Sequence, residues 1–243
     1  MIPSITEAQV FEALGSLLAT LLPQLGQQIV IGQVNRVPSL LGDYIEMWPL
    51  GRPRLGTNVD TPVDCKFTAS LVPIDANTST MAVSSVTTGT IELGNQVFGV
   101  NVANNTVIAS QTSGPVGGVG NYVVSNSQTV ASETMSAGEI QTATSTEFII
   151  QCDVHGPNSG DNAQVMSQAI RSDFAVNQMS GTGVTPLFSD DPRQTPFITA
   201  ADQYEERWSI DVHLQITPII STPVEFSDST TITTEAVDVE FPV

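Results

Sequence analysis

Between residues 10 and 22 the apolar positions Val10, Phe11, Leu14, Leu17, Leu18, Leu21 and Leu22 recur at intervals of three, four and seven. That spacing lays a single apolar stripe along a helix. Ser4 with Glu7, or Thr6 with Gln9, supplies a capping box at its start, and Pro23 and Gly26 end it. The period then changes to two. Strands are expected over about 28–37 and 43–49, the second alternating Tyr44, Glu46 and Trp48 with Ile45 and Met47. In EFIIQCDVHG (147–156), Phe148, Ile150, Cys152 and Val154 share one face, and Ile149, Gln151, Asp153 and His155 share the other. A helix is expected over 161–178, capped by Ser159 or Asp161, with a stripe of Met166, Ala169, Ile170 and Phe174. Loops carrying Pro186, Pro192 and Pro196 follow. In RWSIDVHLQITP (207–218), Trp208, Ile210, Val212, Leu214 and Ile216 then alternate with Ser209, Asp211, His213, Gln215 and Thr217. A last strand is expected over 226–236.

The middle of the chain reads differently. From Phe67 to Gly138 only Asp75, Glu92 and Glu133 are charged. Short β-patterned runs (MAVSSV, QVFGVNV, TVIAS, NYVVS) alternate with turn residues such as GPVGGVGN. The regular Val, Ile, Phe and Tyr positions separate this stretch from a solvated linker. The fold class expected is therefore α+β, an antiparallel sheet flanked by two helices, with an inserted all-β module. Residues 1–64 and 139–243 form the core in this reading, and 65–138 form the insertion.

Charge narrows the function. The chain has 25 acidic and seven basic residues and a formal net charge of −18. Lys66 is its one lysine. Gripping phosphate needs clustered Lys and Arg, so the composition argues against a DNA-holding surface. Residues 13–35 carry no charge, but Pro23, Gln24, Gly26, Gln27 and Gln28 break the run, so no membrane span is read there. The start, MIPSITEAQV, lacks the basic n-region of a signal peptide. Cys65 and Cys152 belong to no ligand motif and read as two buried thiols.

The candidate chemistry is one repeated tripeptide. DVH occurs at 153–155 and 211–213 and holds both histidines of the chain, His155 and His213. Aspartate and histidine two apart share a strand face. If the two strands are neighbours, Asp153, His155, Asp211 and His213 could gather round a metal ion. The plainer reading is a polar sheet face turned to solvent, to a channel or to another subunit. Phosphate-loop, nucleophile-elbow and zinc-protease motifs are all missing, and no catalytic residue, metal ligand or cofactor is assigned.

Three segments together resemble the phage neck or tail-terminator family. They are the first helix with QIVIGQVNRVPSLLGDYIEMWPLGRPRLGT, the pair EFIIQCDVHGPNSGDNAQVMSQAIRSDF, and PFITAADQYEERWSIDVHLQIT. They cover about 5–60 and 145–237, while the insertion resembles a Gly/Thr/Val-rich β module of virion proteins and departs from shorter family members. The resemblance implies a non-enzymatic ring subunit, six copies to a ring, at the head–tail interface. It implies phage connector or adaptor and tail-tube proteins as partners, DNA that passes without specific binding, and assembly in the host cytoplasm before residence in the virion. Because bases are scarce, Arg36, Arg52, Arg54 and Arg207 are the expected partners of acidic patches on a neighbouring copy. The competing reading is a fibre, collar or decoration protein that binds a host or capsid surface through the β module.

Overall fold

The computed structural model describes residues 3–26, 28–32, 42–195, 197–198 and 204–226. In chain order the first elements are α1 (Glu7–Leu21), β1 (Ile29–Ile31), β2 (Tyr44–Gly51), β3 (Val59–Val63), β4 (Lys66–Pro73) and β5 (Thr78–Thr88). There follow β6 (Gln96–Val97), β7 (Thr106–Gln111), β8 (Gly120–Ser125), β9 (Val130–Ser136), β10 (Glu139–Ala143) and β11 (Thr146–His155). The last are α2 (Ser159–Ile170), α3 (Asp173–Gln178), β12 (Val184–Ser189), β13 (Arg193–Gln194), β14 (Phe197–Ile198), β15 (Tyr204–Glu205), β16 (Arg207–Ile216) and β17 (Ile219–Pro223). The described residues divide into two units, those within 3–61 and 142–220, and those within 62–141 and 221–226. The chain passes from one to the other within β3, β10 and β17, a three-stranded sheet of order β17-β10-β3.

The first unit is a sheet of order β1-β2-β11-β16-β12, with β13 also paired to β16. Its pairs are antiparallel except β1 with β2. Ile45, Met47, Phe148, Ile150, Cys152, Val154, Ile210, Val212, Leu214 and Ile216 supply its buried face. They form one core with Val10, Leu14 and Leu18 of α1, Met166 and Ile170 of α2, and Ala175 of α3. Phe11 meets Phe148 edge-on at 6.2 Å. Removing a side chain such as Leu14, which is fully buried, would cost about 3 kcal/mol through lost burial and the cavity left behind.

The start of α1 is fixed by Thr6 and Gln9. The Thr6 N–H donates to Gln9 Oε1 at 2.8 Å, and the Gln9 N–H to Thr6 Oγ1 at 3.4 Å. Ser4 works elsewhere, accepting the Ile219 N–H at 2.9 Å.

Several expectations need correction. There are three α-helices among the described residues, because the one expected over 161–178 breaks at Ser172, whose backbone is extended (φ −110°, ψ 161°). The break turns Phe174 outward, so it leaves the expected stripe and lies exposed. The cap of α2 is Asn158, not Ser159 or Asp161. Asn158 is held by Asp43, whose carboxylate accepts its N–H at 2.9 Å and its side-chain amide at 2.7 Å. The segment around Pro186 is a strand, β12, rather than a loop. It lies at the sheet edge, where a proline costs no ladder hydrogen bond, and its register shifts between Pro186 and Phe188. Most of the strand expected over 28–37, and the one over 226–236, lie outside the described residues.

The second unit contains the whole of 65–138 and also 221–226, a segment expected in the core. It is a six-stranded sheet of order β6-β7-β8-β5-β4-β9. The Phe98 N–H donates to the Ser136 carbonyl at 2.8 Å and the Ser136 N–H to the Phe98 carbonyl at 2.9 Å, so the first and last strands meet and the sheet closes into a barrel. Phe67, Leu71, Met81, Ile108, Tyr122, Val124 and Met135 fill it. GPVGGVG joins β7 to β8 as a turn. A Cβ at Gly114 would lie 2.0 Å from the Val119 carbonyl oxygen, and Gly114 holds φ +93°, so only glycine fits. Gln111 braces this turn, its amide donating to the Pro115 carbonyl at 2.7 Å and accepting from the Gly117 N–H at 3.1 Å.

Candidate functional site

β11 and β16 are neighbours, so the two DVH tripeptides share the polar face of one sheet. Antiparallel register nevertheless holds them apart. Asp153 opposes Ser209, His155 opposes Arg207, Gln151 opposes Asp211 and Ile149 opposes His213. Six residues separate the row of His155 from that of His213, a distance of about 20 Å at ~3.4 Å per residue. One ion cannot bind both, because its ligands must lie within about 2 Å of it. Among the described residues no group of three or more His, Cys, Asp or Glu is placed to hold a metal.

Each aspartate instead meets an arginine. Asp153 accepts from Ser209 Oγ at 2.5 Å and from Gln151 Nε2 at 2.8 Å, and Arg207 Nη1 lies 3.7 Å from its second oxygen. Arg207 is steered by Thr195, whose carbonyl accepts from Nε at 3.1 Å. Asp211 accepts from Arg193 Nη2 at 2.6 Å. The histidines lie against aromatic rings. His155 stacks on Tyr44 with centroids 4.3 Å apart, and His213 on Phe188 at 4.2 Å. His213 Nδ1 is 2.5 Å from Glu147 Oε1, and Nε2 is 3.8 Å from Asp190. Asp153 and His155 are buried, not turned to solvent. The short strip around β13 and Thr195 lies along β16 there, and Thr195 bonds to Ser209 and Arg207, two of the residues that contact Asp153.

The arginines proposed as intermolecular contacts divide differently. Arg52 pairs with Glu7 of its own chain and sits 4.3 Å over the Phe148 ring. Arg207 is committed to Asp153. Arg171, which sequence reasoning passed over, holds Asp191 at 3.0 Å and the Ser189 carbonyl at 2.9 Å. Arg54 is exposed and bonds to Asn58. Arg36 lies outside the described residues.

Burial pushes the Cys65 thiol up to about 11, with Asp64 and Glu92 adding to the shift, and burial raises Cys152 in the same direction. Both cysteines are free. On the barrel an open hollow of about 570 Å³ is lined by Ile91, Leu93, Gln111, Gly114 and Val116. Its one long amide, Gln111, is already spent on the turn. No helix among the described residues is long and apolar enough to cross a membrane.

Two comparisons with known proteins bear on this arrangement. The sequence model of a family described as phage neck terminator protein matches residues 80–238. The match runs from within β5, across most of the barrel and on past β16. The first helix, part of the resemblance read from sequence, lies outside the match. No curated protein is matched.

Proposed function

This chain belongs to the phage neck terminator protein family, and we propose that it is a ring subunit at the head–tail interface, joining the tail to the connector and leaving a channel for the genome. The structural role in the phage neck and the place in the virion follow from membership. The ring of six copies, the connector and tail-tube partners, the DNA passage and assembly in the host cytoplasm are the proposal. The observation that carries it is the match over 80–238, which takes in most of the barrel and the β11–β16 pair.

Charge supports the channel. Each copy carries −18, and at physiological salt acids repel passing DNA over a Debye length of about 8 Å. Asp153 and Asp211 contribute little of that repulsion, since Arg207 and Arg193 offset them. Exposed acids such as Glu12, Asp75 and Glu92 are available to supply it instead. The polar sheet face bearing both DVH tripeptides is largely buried within the chain, so it is left out of the proposed channel lining.

Electron microscopy of the purified protein, alone and with its neck partners, tests the reading. Closed rings are expected. A monomer in both samples overturns it. A second reading, a fibre, collar or decoration subunit, draws on the open hollow of the barrel. Attachment to host cells without ring formation would favour it.

A further inference from the structure

We infer that the segment from Leu50 to Asp60 is the arm by which one copy docks on the α2–α3 surface of the next, an inference that rests on the ring reading. Residues 52–60 are exposed without a break. The segment is nevertheless held in place. The Leu55 N–H donates to the Ser145 carbonyl at 2.9 Å, the Glu147 N–H to the Pro53 carbonyl at 2.9 Å, and Thr144 Oγ1 to Asn58 at 2.8 Å. Pro49 and Pro53 stiffen it further. A loop already ordered loses little entropy on binding.

Its side chains suit a contact. Leu50, Leu55 and Val59 are 52%, 49% and 62% exposed. Arg54, set among them, is the one arginine among the described residues with no carboxylate in ion-pair range. Arg52, Arg171, Arg193 and Arg207 each have one. In a chain with 25 acids and seven bases, an uncompensated arginine beside apolar side chains marks a surface made for an acidic partner.

The chain carries the complement. Val165 on α2 and Phe174 and Val176 on α3 are exposed, and Asp161 and Asp173, also exposed, lie on the same two helices. Neither aspartate makes an ion pair among the described residues. Apolar side chains with a cation on one surface and apolar side chains with acids on another define a head-to-tail contact, the kind that closes rings.

The test uses the full chain and light scattering across a dilution series, with the melting temperature as a check on folding. Arg54→Glu with Leu55→Asp is expected to weaken self-association at least about tenfold, with the melting temperature unchanged. Arg54→Glu alone should weaken it less, and adding Asp161→Arg and Asp173→Arg should restore part of the loss, a coupling that simple misfolding would not give. A parent that assembles while the variants assemble equally well overturns the arm and leaves the ring standing. So does a weakened Arg54→Glu variant that the Asp-to-Arg changes fail to rescue. A parent that stays monomeric, alone and with neck partners, overturns the ring and the arm together.

Discussion

Asp153 and Ser209 face each other across the β11–β16 pair, and the serine hydroxyl donates to the carboxylate at 2.5 Å. Gln151 and Arg207 complete the carboxylate's shell. The aspartate that sequence suggested as a ligand or a channel charge thus ties together three side chains on one sheet. Asp153→Ala would take a buried carboxylate away from Ser209, Gln151 and Arg207. Loss of one partner from such a pair costs about 3 kcal/mol, and thermal denaturation should show a lower midpoint. Asp153→Asn, which keeps the hydrogen bonds, should fall between parent and alanine variant.

The DVH tripeptides are expected to be chemically silent. Elemental analysis of the purified protein should find metal at the blank level, both in the parent and after Asp153, His155, Asp211 and His213 are changed to Asn or Gln. Stoichiometric zinc in the parent, absent from the variant, would contradict the register argument.

Duplex DNA should not bind at physiological salt. Each phosphate contact needs a cation, and the described arginines other than Arg54 are already paired within the chain. A gel-shift titration should show no retarded band at micromolar protein. A band that fades steeply with salt would reveal a basic surface and end the smooth-channel reading.

Alkaline pH should loosen the fold. Folding raises both thiols above the ordinary value of 9.0, Cys65 to about 11. A group whose folded pKa is raised stabilises fully below its unfolded value and loses that contribution as pH climbs through the folded one. The melting temperature should therefore fall between pH 9 and about 11, and Cys65→Ala with Cys152→Ala should flatten the fall. Neither thiol should react with a thiol reagent at neutral pH until denaturant is added.

Replacing 67–138 with a short Gly/Ser linker should leave residues 1–61 and 142–220 folding cooperatively, as judged by a single denaturant transition. Their core draws no residue from the replaced segment. Complete loss of soluble protein would show that the first unit depends on the barrel.

Elements whose signal is local were readable from sequence. The stripe of α1 is bounded by a capping box and a proline, and β16 alternates cleanly along its whole length. What escaped depended on position in three dimensions. Pro186 reads as a loop residue until β12 is known to be an edge strand. Ser172 is an ordinary helix residue until its backbone turns extended. The polar positions of the two DVH strands were legible, but not their partners. Arg193 and Arg207 reach Asp211 and Asp153 through pairing and register that no local spacing encodes. The barrel was visible as a change of composition, yet nothing local signalled that Phe98 would meet Ser136.

That meeting bears on life in a crowded particle. A sheet rich in Val and Thr, with a bare rim, would offer every identical neighbour a template for runaway polymerisation. By joining its two rims at Phe98 and Ser136, the module spends part of that rim on itself and offers another molecule a shorter template to extend. Copies lying side by side would then be less prone to pair through this sheet.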